Sequence, residues 1–203
     1  GLLTISRLIT SENKSELERR NDIAFEMQKD LEAKSLQALT EVNVVNDLRF
    51  GMFQVAASHG IAGIKTDTVV FGYSKSFEDK IKELQIINDL SATGKNILMA
   101  NFKKPFTNQS NKRIDIWWRG KDKNADLMLL LSYLIKLNSK WKKAVIKIYS
   151  VVETEEDKYA MDQFIKYSIK EARIEAEIHV LIESTNPVEL LLNESKNSDL
   201  VFC

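Results

Sequence analysis

Residues 114–135 read IDIWWRGKDKNADLMLLLSYLI, and the adjacent pair Trp117 and Trp118 decides how this chain is built. On a strand, neighbouring side chains point to opposite faces, so the two indoles cannot share a pocket. Either both faces of the sheet are covered, or one indole is exposed for a partner. The apolar run that follows, Leu127 to Leu137, is broken by Ser132 and Lys136. It falls short of the ~20 residues that a membrane-spanning helix needs.

Outward from this stretch, the chain alternates between strand-like and helix-like periodicity. Leu3 to Ile9 reads as a strand, and SENKSELE supplies capping chemistry for a long helix lined by Leu17, Ala24, Met27 and Leu31. ALTEVNVV is a second strand. RFGMFQVAASHGIAG is a helix stopped by Gly60 or Gly63, and TDTVVFGY is a third strand. SFEDKIKELQIINDL is a helix with Gly94 placed for a left-handed C-terminal cap, and KNILMANF is a fourth strand. After the tryptophan strand and the leucine-rich helix come the strand KKAVIKIYSV and the helix TEEDKYAMDQFIKYSIKEA. The strand RIEAEIHVLI, a short helix from Pro187 and the strand SDLVFC close the chain.

Strands alternating with helices of this length predict an α/β fold, a mostly parallel sheet covered by helices on both faces. A faint echo between ASHGIAGIKTDTVVFGY and LLNESKNSDLVFC suggests two similar lobes. The expected division is a first lobe over residues 1–102, a basic link over 103–113, and a second lobe over 114–203. In such a sheet a central strand is apolar on both sides. Ile114, Ile116 and Trp118 are then expected to face one layer, with Trp117 and Asp115 facing the other. The next helix, apolar almost all round, reads as deeply packed. An exposed indole used for stacking on nucleic acid would come with a repeated aromatic-basic pattern, which the stretch lacks. Along 174–182 the alternation of Ile174, Ala176, Ile178, Val180 and Ile182 with Glu175, Glu177, His179, Leu181 and Glu183 gives one polar face. That face suits a protected edge strand or a polar subunit contact, with His179 paired to Glu177 or Glu183.

Composition narrows the function classes. The 203 residues carry 29 basic and 29 acidic side chains, so no net field draws the chain to nucleic acid or to an anionic membrane. A single cysteine, Cys203, excludes an internal disulfide and fits a reducing compartment. Two histidines and one cysteine, far apart, give no zinc set, and no metal or cofactor is expected. The chain starts without methionine and closes on the apolar SDLVFC, as an excised piece of a longer protein would.

Catalytic motifs are missing. The sequence contains no GxSxG elbow, no GxGxxG and no Walker-type loop. Most carboxylates lie on helix faces, and the cluster ETEEDK at 153–158 opens a helix where negative charge is favoured. The link KKPFTNQSNKR sets Lys103, Lys104, Lys112 and Arg113 around Thr107 and Ser110. It is either a solvated loop or a docking and modification loop, since a phosphate there would meet cations at once.

Two resemblances then carry the reading further. The strand DTVVFG is similar to strands of universal stress proteins, many of which bind ATP. Their phosphate cradle needs further glycines after the strand, and Gly72 is followed only by YSKSFEDK. More specifically, Ile114, Asp115, Trp117, Trp118, Leu130, Tyr133 and Leu134 match a pattern of the cytoplasmic C-terminal domain of cation-chloride cotransporters. TDTVVFGY, NILMANF and SDLVFC add weaker matches, so the resemblance spans residues 66–203 with gaps.

This resemblance implies a universal-stress-protein-like fold without the ATP motif. The domain would hang on the cytoplasmic side of a transmembrane carrier, itself not inserted in the bilayer, and pair with a second copy. It would regulate or assemble that carrier, which moves sodium or potassium with chloride, and would catalyse no reaction. Ile114, Asp115, Trp117, Trp118, Tyr133 and Leu134 would form its structural core signature. Animal members place a long regulatory insert before the Trp-Trp strand, whereas the link here is short, which points to a microbial member. The alternative is a stand-alone nucleotide-binding sensor of the universal stress type.

Overall fold

The structure, a computed structural model, describes residues 3–61, 64–73, 76–102, 112–119, 124–182 and 186–203. The chain divides into two compact units, Gly1–Lys103 and Lys104–Cys203.

The first unit runs β1 (Thr4–Thr10), α1 (Lys14–Glu18), α2 (Arg20–Ala33), β2 (Leu39–Val45) and α3 (Leu48–Ser58). It continues with β3 (Gly60–Ile61), β4 (Ile64–Lys65), β5 (Thr68–Gly72), α4 (Phe77–Ser91) and β6 (Asn96–Ala100). Strands β1 and β2 pair in parallel, as do β5 and β6. One face of β1–β2 buries Ile9 and Val42 against Ile23, with Leu17, Ala24 and Met27 packed around them. Between β5–β6 and the helices α3 and α4, Ala56, Ile86 and Leu90 form a second cluster. Asp47 caps α3 by accepting from the Phe50 amide at 2.7 Å. Gly94, at φ +75°, takes the left-handed conformation expected of it after α4.

Two sequence expectations for this unit change. The first long helix is broken at Arg19 into α1 and α2. The helix before GIAG ends at Ser58, and Gly60 belongs to the short antiparallel pair β3–β4 instead of terminating a helix. The extended backbone of His59, φ −61° and ψ 134°, is what stops the helix before the glycine.

The second unit runs β7 (Arg113–Trp117), α5 (Asn124–Lys136), β8 (Val145–Val152), α6 (Glu155–Glu171), β9 (Glu177–Ile182), α7 (Pro187–Glu194) and β10 (Leu200–Phe202). Its four strands form one parallel sheet in the order β10-β7-β8-β9. The fold is therefore α/β, with parallel strands flanked by helices. β7 and β8 are central, and β9 is an edge strand that begins at Glu177, three residues later than the alternation suggests. Thr154 opens α6, accepting from the Asp157 amide at 3.1 Å, while Asn186 and Pro187 open α7.

One face of this sheet is an apolar core. Ile114, Ile116, Ile146, Ile148 and Val180 pack beneath Ala125 and Leu129 of α5 and Ile165 of α6, with Trp118 at the end of the row. Trp118 meets Phe164 edge-on, ring centres 6.0 Å apart. Trp117 lies on the opposite face, stacked on Tyr149 at 4.9 Å. The Trp-Trp pair is thus split across the sheet, and both indoles are buried.

Helix α5 departs from the expected all-round burial. Ala125, Leu129 and Ser132 face the core, but Leu130, Tyr133, Leu134 and Leu137 are 51%, 47%, 49% and 64% exposed. A single helix layer over one sheet face covers only the inner side of its helices. Tyr133 and Leu134, expected in the core, are surface residues.

Candidate functional site

The second face of the second unit's sheet is built from alternate residues of β7, β8 and β9, and it is polar and aromatic where the first is aliphatic. Asp115 is fully buried at its centre. Its carboxylate accepts from Arg113 Nε at 2.7 Å and Nη2 at 2.8 Å, a bidentate pair. It also accepts from Ser195 Oγ at 2.7 Å and from the Ser198 hydroxyl. Arg113 Nη2 donates further to the Tyr149 hydroxyl at 2.6 Å and to the Glu194 carbonyl at 2.8 Å. The Arg113 amide donates to Asp199 Oδ2 at 2.8 Å. Ser195 Oγ in turn accepts from Trp117 Nε1 at 2.9 Å.

These bonds tie the end of α7 and the entry to β10 onto β7. A buried carboxylate is costly unless it is paired and hydrogen-bonded, and here an arginine and two serines meet it. Burial pulls the Arg113 guanidinium down, but its hydrogen bond to Asp115 and the attraction of that charge leave it raised overall. Burial pushes the Tyr149 phenol up, against the pull of Arg113.

Across the strands, cross-strand neighbours continue the face as a row of rings. Trp117 stacks on Tyr149, and Tyr149 stacks on His179 with centres 5.0 Å apart. His179 Nε2 lies 3.6 Å from Glu177 Oε2, and Glu177 also pairs with Lys147 Nζ at 2.9 Å. The Lys147 hydrogen bond holds the Glu177 carboxyl below its ordinary range. Glu183, the other expected partner of His179, lies outside the described residues.

Chemically this network positions groups; it activates none. The carboxylate has its acceptor capacity taken up by an arginine and two serines, and the serine hydroxyls are engaged with it. Among the described residues no group of three metal-ligating side chains converges.

Of the proposed site residues, Ile114, Asp115, Trp117 and Trp118 sit together on β7 and at its end, while Tyr133 and Leu134 stand on the outer side of α5. Lys112 is buried with Nζ 4.7 Å above the Trp141 ring, and Arg113 belongs to the Asp115 network. These two cations of the link are therefore committed to packing. Lys103, Lys104, Thr107 and Ser110 lie outside the described residues. Ser195 and Ser198 were not singled out by sequence, because their partner Asp115 lies 80 and 83 positions earlier, and neither was Tyr149, whose partner Arg113 lies 36 positions earlier. The only local signal is a cluster of small polar residues, NESKNSD, read as a turn.

The first unit has a cleft of about 490 Å³ between β2 and the end of α3, lined by Thr4, Glu41, Asn43, Ser58 and His59 among others. His59 Nε2 is 3.0 Å from Thr4 Oγ1, and His59 Nδ1 is 3.5 Å from Glu41 Oε1. Ser6 also donates to Glu41. His59, Thr4, Ser6 and Glu41 thus contact one another across the cleft floor, whereas the buried Nδ2 of Asn43 in the same lining has no hydrogen-bond partner.

Comparison with known proteins agrees with this architecture. The family model of Solute carrier family 12 matches residues 77–190, more than half of the chain. Among solved structures, the chain is similar to the cytoplasmic domain of a prokaryotic cation chloride cotransporter. The TM-score is 0.63 at 17% identity, over 92% of this chain and 69% of that one. At that identity the likeness concerns the fold.

Proposed function

This chain belongs to Solute carrier family 12, and from that premise we propose that it is a cytoplasmic, non-catalytic regulatory and dimerisation domain of a membrane cation-chloride cotransporter. The family match over residues 77–190 is the observation that carries the reading. The fold it shares with a cotransporter's cytoplasmic domain supports it. Among the described residues no helix is long and apolar enough to cross a membrane, so the carrier's transmembrane part would have to be a separate portion of the protein. The chemistry of the second unit suits a rigid protein-contact module, since buried Asp115 is bonded to Arg113, Ser195 and Ser198 and these groups hold α7 and β10 on the sheet. The first lobe over residues 1–102 and the second over 114–203, joined by the link 103–113, would be the two halves of that module. Within this proposal the link's Thr107 and Ser110, beside Lys103 and Lys104, are the place where modification would act.

Sedimentation equilibrium over a wide range of loading concentrations tests the reading. A reversible monomer–dimer equilibrium is the expected result. A monomer at every concentration up to the near-millimolar range would overturn the dimerisation role.

A further inference from the structure

In the first unit, one face of β1–β2 carries the Ile9 and Val42 cluster, and the other is polar. Alternation and register set Thr4 and Ser6 of β1 beside Leu39, Glu41 and Asn43 of β2 on that second face. Helix α3 lies against the same face, its Gly51 approaching Val45. A parallel pair covered by helices is normally aliphatic on both sides. Here a carboxylate, an amide and two hydroxyls stand on a covered face instead. Most of them line the cleft of about 490 Å³ at the end of α3, a volume in the range of small-molecule sites, roughly 300–1,000 Å³.

The groups left over at this cleft are acceptors. Both contacts of Glu41, with Ser6 and with His59, fall on Oε1, which leaves Oε2 for a further donor. The Asn43 amide buries its Nδ2 without a partner, so Oδ1 is the polar end that remains for the cleft. Ser58, His59 and Gly60 bring the C-terminal end of α3 to the wall, with its last carbonyls and the negative end of its dipole. No lysine or arginine is among the described residues of the lining.

We propose that this cleft binds an organic ammonium, a primary amine on a short aliphatic body. An alkylammonium head has three N–H donors and no acceptor. Glu41 Oε2, Asn43 Oδ1 and a carbonyl at the end of α3 would take those donors, the first in a charge-assisted bond. Leu39 and Val55 of the lining would take the methylenes. An alkali ion fits less well, because it would leave most of the volume empty. A phosphate or carboxylate fits worst, since it would face Glu41 and a helix C-terminus with no arginine or lysine to answer it. The site belongs to the first unit and does not rest on the dimerisation role.

The experiment titrates butylammonium chloride into the isotope-labelled full chain and follows backbone amide shifts by NMR. Potassium chloride and sodium butyrate at matched ionic strength are the other two arms. The expected result is saturable shifts at Glu41, Asn43 and His59 with butylammonium alone. Glu41→Gln keeps the shape and removes the charge, and should weaken binding by about tenfold or more. Asn43→Asp adds a second negative charge and should tighten it several-fold. Thermal melts confirm that each variant folds, and the wild-type arms decide the matter even where one does not. Shifts that potassium chloride reproduces would overturn the amine assignment in favour of an inorganic cation. Shifts that butyrate reproduces would overturn the acceptor reading of the cleft. No saturation at these three residues as butylammonium rises through the millimolar range would overturn the site itself.

Discussion

Trp117 Nε1 donates to Ser195 Oγ at 2.9 Å, and the same hydroxyl passes a hydrogen bond on to Asp115 Oδ2 at 2.7 Å. One serine thus serves a buried indole and a buried carboxylate at once, and it fastens the end of α7 to a central strand. The second tryptophan of the pair points into the opposite layer, where it meets Phe164 edge-on. The side of β7 that looked least like core is the one that depends on specific bonds.

Ser195→Ala removes both of those bonds and leaves the Trp117 N–H buried without its acceptor. The expected cost is about 1–3 kcal/mol, the penalty of a buried polar group left unpaired. Urea unfolding at neutral pH would measure it. Trp117→Phe in the Ser195→Ala background should cost less than in the wild type, because the unpaired donor is then already present. Additive effects would show that the two residues are not coupled.

Gly51→Ala tests the packing of the first unit. A Cβ built on Gly51 runs into Val45 Cγ1 and meets Val45 Cβ at 2.6 Å. Alanine in a helix interior normally gains up to about 1 kcal/mol over glycine. Here α3 would have to lift from β2, and overpacking of this kind costs about 1–3 kcal/mol. Destabilisation should therefore win, and Val45→Ala, which removes the two methyls but keeps the Cβ at 2.6 Å, should relieve it only in part in the double variant. A stabilising Gly51→Ala in the wild-type background would show that this approach is looser than described.

Much of this architecture was legible in the sequence because period and punctuation are local. The alternation of Ile114, Ile116 and Trp118 against Asp115 and Trp117 marks two faces wherever the strand sits, and Gly94 marks its own left-handed cap. What was not legible depends on how many layers the fold has. Leu130, Tyr133, Leu134 and Leu137 are as apolar as Leu129, and sequence alone gives no reason to leave them outside. Only the single helix layer over that sheet face separates the two stripes. The Asp115 network was hidden for a second reason: Ser195 and Ser198 sit in a run of small polar residues, and their partner lies 80 and 83 positions earlier.

All three tryptophans, Trp117, Trp118 and Trp141, are buried. Native fluorescence should therefore be blue-shifted and weakly quenched by iodide, shifting to the red in one step as the second unit unfolds. Because every indole lies in that unit, the signal reports it alone. Comparison with circular dichroism, which sees both units, then tests whether they unfold together. Strong iodide quenching of the native protein would contradict the burial of the pair.

Glu177 provides the pH test. Its hydrogen bond to Lys147 is the main cause of a carboxyl held below the ordinary value near 4.5, and desolvation opposes it. With the folded value depressed, the unfolded chain binds its proton first as pH falls. The stabilising contribution is therefore complete above the unfolded value and is lost as pH drops through the folded one. Glu177 is 54% exposed, so solvent screening keeps the effect on overall stability small, and the titration itself is the better observable. Carbon NMR of the Glu177 carboxyl should give a midpoint below that of the other exposed glutamates. Lys147→Met should move it back up toward them while the strand pairing of β8 with β9 persists. A midpoint that ignores the loss of Lys147 would mean that the ion pair does not govern this edge of the sheet.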